Sequence, residues 1–229
     1  MQAHQEDIMD IKQLLSHVDH TLLTPTATAM DYVQICDDGI KYGVASICIS
    51  PSRVAEIAAR AQGRVKVCTV VGFPNGYTDT KAKVYEAETA IRQGATEIDM
   101  VIDIGRAKEH HYATVLADIK ALRAATAGHI LKVIIETACL TDDEKIALCH
   151  TVSESGADYI KTSTGFASGG ATFEDVALLR KHVASEVKVK AAGGISSLED
   201  ARRFIELGAD RLGTSRIVKL VQGLDAAGY

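Results

Sequence analysis

Three segments of the chain begin with the same Gly-Ala step and run at once into a strand-like stretch: GATEID from residue 94, GADYIK from 156 and GADRLG from 208. A glycine that closes a helix in the left-handed conformation, followed directly by a strand, is the junction of a repeating β/α unit. The rhythm extends beyond these three copies. VASICIS, RVKVCTVVG, ATEIDMVI, HILKVIIE, ADYIKTS, EVKVKAAGG and ADRLGTS alternate with helical stretches, and Gly43, Gly63, Gly94, Gly128, Gly156 and Gly208 each stand shortly before a strand. Ser50-Pro51 offers an N-cap followed by proline, while Thr141-x-x-Glu144 and Thr172-x-x-Asp175 have capping-box spacing. Past Thr172, the three- and four-residue steps between Phe173, Val176, Leu179 and Val183 lay one apolar stripe against a sheet. Seven strands are thus visible, and HVDHTLL at 17 to 23 supplies an eighth. Eight units in 229 residues, roughly 29 residues each, predict a single-domain α/β fold, a (β/α)₈ TIM barrel over residues 1–229 with a short tail around 223–229. A doubly wound open sheet shares the alternation and stands as the structural alternative. Proline occurs only at 25, 51 and 74, and no low-complexity linker divides the chain.

Composition limits what such a domain meets. With 47% hydrophobic and 24% charged residues the chain can bury a large core, and disorder is excluded. The net charge of -5, with signs interspersed, provides no basic stripe for a nucleic-acid backbone. No apolar run approaches the ~20 residues of a membrane span, and the polar, acidic N-terminus MQAHQEDIMD is unlike a signal peptide. Five cysteines without a C-x-x-C pair read as reduced thiols in the cytoplasm. A small-molecule partner is the expectation, with a homo-oligomer left open.

A register count then locates a site. Five residues beyond Gly43, Gly94, Gly156 and Gly208 stand Cys48, Asp99, Lys161 and Gly213, on strands 2, 4, 6 and 8. Alternate barrel strands contribute the four side chains of one interior layer, so these four share a layer if the barrel is right. A carboxylate and an ammonium inside a barrel are costly unless paired or used, and Gly213 leaves room for a ligand. Two plainer readings stand beside this one: a structural Asp99–Lys161 ion pair, or a register off by one that turns both toward the helices. For Cys48 the plainer reading is a small buried apolar residue.

A lysine that attacks a carbonyl must first be neutral, and at pH 7 only about 4 in 10,000 unperturbed lysines are. Burial and a neighbouring cation both depress the pKa; a fall of about 3 corresponds to about 4 kcal/mol. Lys190, ending the VKVK run on the adjacent strand, is the candidate neighbour, and Lys132 a second. Lys132 is equally well read as a lysine whose stem packs while its amine reaches water. Gly193-Gly194 and the GTSR segment at 213 to 216 follow consecutive strands, where backbone amides of such barrels bind phosphate.

DHTLL at 19 to 23, GFPNG at 72 to 76, EIDMVI at 97 to 102, IKTSTGF at 160 to 166 and VKAAGGI at 189 to 195 occur in an order that resembles the deoxyribose-phosphate aldolase family of Schiff-base aldolases. The resemblance spans most of the chain. It implies that Lys161 forms an imine, that Lys190 lowers its pKa, and that Asp99 helps a water move protons. Gly165, Gly193, Gly194 and Ser215 would line the phosphate end, and Thr164, Cys48 and Gly213 join the substrate-binding set. The C-terminal Tyr229 would assist proton transfer. The implied reaction is reversible cleavage of 2-deoxy-D-ribose 5-phosphate at C2–C3, giving D-glyceraldehyde 3-phosphate and acetaldehyde, without metal or other cofactor. One departure is Phe166, where some family members carry lysine; weaker phosphate affinity is the expected consequence.

Other functions fit part of the pattern. A metal-dependent aldolase needs clustered ligands, but the eight histidines are scattered, His17/His20 and His110-His111 being the only close pairs. A sugar-phosphate isomerase would share the phosphate features and use a carboxylate base without a covalent adduct. A non-catalytic phosphosugar-binding barrel would use Lys161 only to pair with phosphate.

Overall fold

A computed structural model describes residues 9–223. Eight parallel strands close into a barrel in sequence order: β1 Val18–Leu22, β2 Ser46–Ile49, β3 Val67–Val71, β4 Glu97–Val101, β5 Ile130–Ile134, β6 Tyr159–Lys161, β7 Lys188–Ala192 and β8 Arg211–Thr214. All eight predicted strands are present, and closure between β1 and β8 removes the open-sheet alternative. The strands are buried on both faces, as parallel strands under crossover helices must be. Their outward residues, such as Ile47, Ile98, Val133 and Leu212, join helix residues such as Ile35, Ile57, Ile119 and Leu179 in the main core.

Local chemistry ends the helices largely as the sequence indicates. Thr141 and Glu144 form both halves of a capping box before the helix Asp142–Ser155. At Thr172 the hydroxyl accepts from the Asp175 amide at 3.0 Å, the half of the box that caps the helix Phe173–His182. Ser50-Pro51 opens a short 3₁₀ turn rather than the α-helix itself, which starts at Val54. Gly43 and Gly156 close their helices in the left-handed conformation.

Side chains alternate in and out along a strand, so the pairing register stacks the interior in layers. From the N-terminal end upward these are Ser46, Glu97, Tyr159 and Arg211; Asp19, Cys68, Lys132 and Lys190; Cys48, Asp99, Lys161 and Gly213; and Thr21, Val70, Ile134 and Ala192. Lys190, for example, is registered with Arg211 on one side and Lys161 on the other, which interleaves odd and even layers. The layer counted from the glycines is the third. The reading in which Asp99 and Lys161 face the helices is thereby overturned.

Candidate active site

The barrel interior below its upper rim is charged, not greasy. Three carboxylates, Asp19, Glu97 and Asp99, meet four basic groups, Lys132, Lys161, Lys190 and Arg211. Asp99 is the hub. Its Oδ1 accepts from Lys132 Nζ at 2.8 Å and from the Cys68 thiol at 3.1 Å, and its Oδ2 accepts from Lys161 Nζ and Lys190 Nζ, each at 2.7 Å. Lys161 and Lys190 therefore share one oxygen and lie within two hydrogen-bond lengths of each other. Beneath them Asp19 pairs with Lys190 and Arg211, both at 2.5 Å, while Glu97 takes Lys132 at 2.6 Å and Arg211 at 3.2 Å.

Such burial is tolerable only because every charge is paired. Burial works against the Asp99 carboxylate, but Lys132, Lys161 and Lys190 outweigh it and hold the acid well below the usual carboxylate range. Burial likewise opposes the Lys190 charge, yet Asp19 and Asp99 keep its ammonium above the ordinary lysine range. Lys132 is held up in the same way by Asp99, Cys68, Asp19 and Glu97. The plainer reading of Lys132, with its amine in water, fails because the side chain is 0% exposed and bound among carboxylates.

Above Lys161 the strand ends open into a cleft of about 300 Å³. Lys161, Thr164, Gly165, Gly193, Gly194, Gly213 and Ser215 line it together, whereas Asp99 and Lys190 lie beneath and reach it through Lys161. Cys48 also lies below the cleft wall, packed with Leu23, Cys68, Val70 and Phe73. Gly213 has a second duty besides leaving room for a ligand: a Cβ there would meet Lys190 Cε at 3.1 Å. One wall forms where the loops after β6 and β7 touch through bare backbone. A Cβ on Gly170 would stand 2.5 Å from the Gly193 carbonyl carbon, so no larger residue allows that approach. The amides of Gly194 and Ser215 and the Ser215 hydroxyl, all at the cleft, donate to no acceptor among the described residues. Open donors converging on a concave, glycine-walled space suit an anion.

Thr164 is different. Its amide (3.1 Å) and its hydroxyl (2.5 Å) both donate to Glu136 Oε2, and its Oγ1 accepts from the Phe166 amide at 3.1 Å. With both donors committed, it braces the loop and has only a lone pair to offer a ligand. Glu136, 2% exposed and left-handed at φ 58°, escaped the sequence reading. So did Asp19, Glu97 and Arg211. For Glu97 and Arg211 a signal existed, because each stands two residues before a counted residue and so shares its inward face.

Cys48, Cys68 and Asp99 place potential metal ligand atoms within 4.8 Å of one another. A divalent cation there would have to displace the lysines that Asp99 already holds. Tyr229 lies outside the described residues.

The sequence profile described as DeoC/LacD family aldolase matches residues 13–222. A deoxyribose-phosphate aldolase of Clostridium botulinum (strain Eklund 17B / Type B) is 52% identical over 221 residues, covering 96% of this chain and all of that protein. One from Streptococcus pyogenes serotype M4 is 55% identical over 214 residues, 93% of this chain and 96% of the relative. Among solved structures, the tetrameric deoxyribose phosphate aldolase from Aeropyrum pernix superposes with a TM-score of 0.87 at 32% identity, over 93% of this chain and 92% of its own.

Proposed function

The chain belongs to the DeoC/LacD family of aldolases, and from that premise we propose that it reversibly cleaves 2-deoxy-D-ribose 5-phosphate to D-glyceraldehyde 3-phosphate and acetaldehyde through an imine on Lys161. The observation that carries this reading is one amine, Lys161, at the floor of an anion-ready cleft, tied to the carboxylate that a second, firmly cationic lysine shares. Inside the barrel four basic groups face three carboxylates. A lysine attacks an aldehyde as the free amine, and the carbonyl carbon is the electrophile it meets.

The Lys161 nitrogen adds to C1 of the open-chain sugar, and loss of the aldehyde oxygen as water leaves a protonated imine. That cation accepts the electron pair of the C2–C3 bond as the C3 hydroxyl gives up its proton, releasing D-glyceraldehyde 3-phosphate and an enamine. Protonation at C2 and hydrolysis then free acetaldehyde and Lys161. Asp99 and Lys190 act on these steps from below: Asp99 orients the nitrogen, and Lys190 keeps a cation beside it. A water held between them and the substrate is the proposed proton carrier. The Gly194 and Ser215 amides bind the phosphate and so fix C1 over the nitrogen.

The pattern of free thiols among the five cysteines supports a cytoplasmic location, and no described helix is long and apolar enough to cross a membrane. Exposed Met30, Tyr77 and Tyr85 supply surface that a second copy of the chain would cover in a homo-oligomer. The test of function is an assay of both products from deoxyribose 5-phosphate with and without a metal chelator. Equal formation of both aldehydes under the two conditions is expected. Loss on chelation, or isomerisation without cleavage, would overturn the proposal.

A further inference from the structure

The substrate's phosphate carries about −1.5 to −2 charge at pH 7, yet among the described residues only two basic ones line the cleft, Lys161 and Arg216. The Lys161 nitrogen is occupied by the covalent chemistry. Arg216 follows β8 in a fixed turn, its amide donating to Thr214 Oγ1 at 3.0 Å. It is partly buried, and its guanidinium has no hydrogen bond or ion pair among the described residues. In this it stands alone. Arg53, Arg60, Arg92, Arg106, Arg123, Arg180, Arg203 and Arg211 each hold a carboxylate, and Arg64 and Arg202 each hold a backbone carbonyl. A planar fork of donors left unmatched beside open amides fits a phosphate oxygen pair.

We propose that Arg216 is the cation by which this chain recognises the phosphate of its substrate, and hence the residue that sets its preference for phosphorylated over unphosphorylated sugars. The inference rests on the aldolase reading above and deepens it. It also reverses the consequence drawn from Phe166: the cation stands after β8 instead of after β6, so an apolar residue at 166 does not leave the phosphate without a partner.

The experiment compares kcat and KM for 2-deoxyribose 5-phosphate and 2-deoxyribose in the wild type, Arg216→Met, Arg216→Gln, Arg216→Lys and Lys219→Met, together with inhibition by inorganic phosphate. If the wild type cleaves neither sugar, the aldolase reading itself has failed, whatever Arg216 does. With an active wild type, the neutral Arg216 variants lower the ratio of kcat/KM for the phosphorylated over the plain sugar by about 10- to 100-fold, the worth of one or two charge-assisted hydrogen bonds. The change falls in KM, the inhibition constant of inorganic phosphate rises in step, and Arg216→Lys restores most of the ratio. Lys219, which lines the neighbouring pocket instead, leaves the ratio within about twofold when neutralised. Equal losses on both sugars would make Arg216 merely structural, and an unchanged ratio, or the same shift from Lys219→Met, would overturn the assignment.

Discussion

The two ends of the barrel interior are made of opposite materials. Below Lys161, buried carboxylates, lysines and an arginine saturate one another; above it, glycines and alanines leave backbone amides and one guanidinium unanswered. The lower half fixes a nitrogen in place and the upper half waits for a ligand. Lys161 is the boundary, since among the described residues its one carboxylate partner is Asp99 in its own buried layer, while it faces the cleft above. The difference teaches that satisfaction of polar groups is informative by its absence: where the barrel interior pairs its charges, the donors left open above it mark the binding surface.

The comparison is broken most severely by Asp99→Asn, which removes the hub of the lower half. Three lysines lose their common anion, and we predict a loss of about 3–5 kcal/mol in urea unfolding together with a kcat lower by about 10²–10⁴-fold. A variant with wild-type stability would show that the lower half is not held together by Asp99.

Acid titration separates the interior from its surroundings. Lysines hold Asp99 below the usual range, so its contribution is complete above the unfolded carboxylate pKa and is lost only as pH falls through the depressed folded value. His20, packed outside the ring, is pushed down to about 4 by burial, against the pull of Asp38 and the Thr214 carbonyl. The unfolded chain binds that proton first, so stability is full above about pH 6.5 and declines by up to about 3 kcal/mol as pH falls toward 4. Stability measured from pH 7 to 4 should slope downward in the wild type and flatten in His20→Gln. An equal slope in both would place the acid sensitivity elsewhere.

Gly170→Ala attacks the upper half alone. Its Cβ forces the β6 and β7 loops apart, and we expect KM for the phosphorylated sugar to rise about tenfold at a cost of about 1–3 kcal/mol in stability. A fall in kcat with KM unchanged would mean that the wall does not bind the phosphate. The smallest effect is expected from Phe166→Lys. Phe166 is 43% exposed and packs edge-on against Phe73, so a lysine there adds a solvated charge worth at most about fivefold in preference for the phosphorylated sugar. No shift at all would remove position 166 from phosphate recognition.

The fold and half of the site were legible in the chain because both follow short periods. Gly-Ala junctions marked where strands begin, and a two-residue alternation carried Asp99 and Lys161 to the same interior layer. The same alternation reaches Glu97 and Arg211, but one charged residue at the start of a strand reads equally well as its solvated end. Asp19 on β1 had no Gly-Ala junction to count from. Glu136 was illegible for another reason: its partner Thr164 lies across a β/α unit, and only the parallel pairing of β5 with β6 brings the two together. The idleness of Arg216 is likewise a property of what surrounds it, which no local pattern records.

The central claim is that Lys161, and neither of the lysines that share Asp99 with it, bonds covalently to the sugar. Incubation with deoxyribose 5-phosphate or acetaldehyde, borohydride reduction and peptide mass mapping reads this directly. A reduced adduct on the Lys161 peptide, missing from Lys161→Met while Lys132 and Lys190 stay unmodified, is the predicted result. Turnover with Lys161 unmodified, or an adduct carried by Lys132 or Lys190, would contradict it.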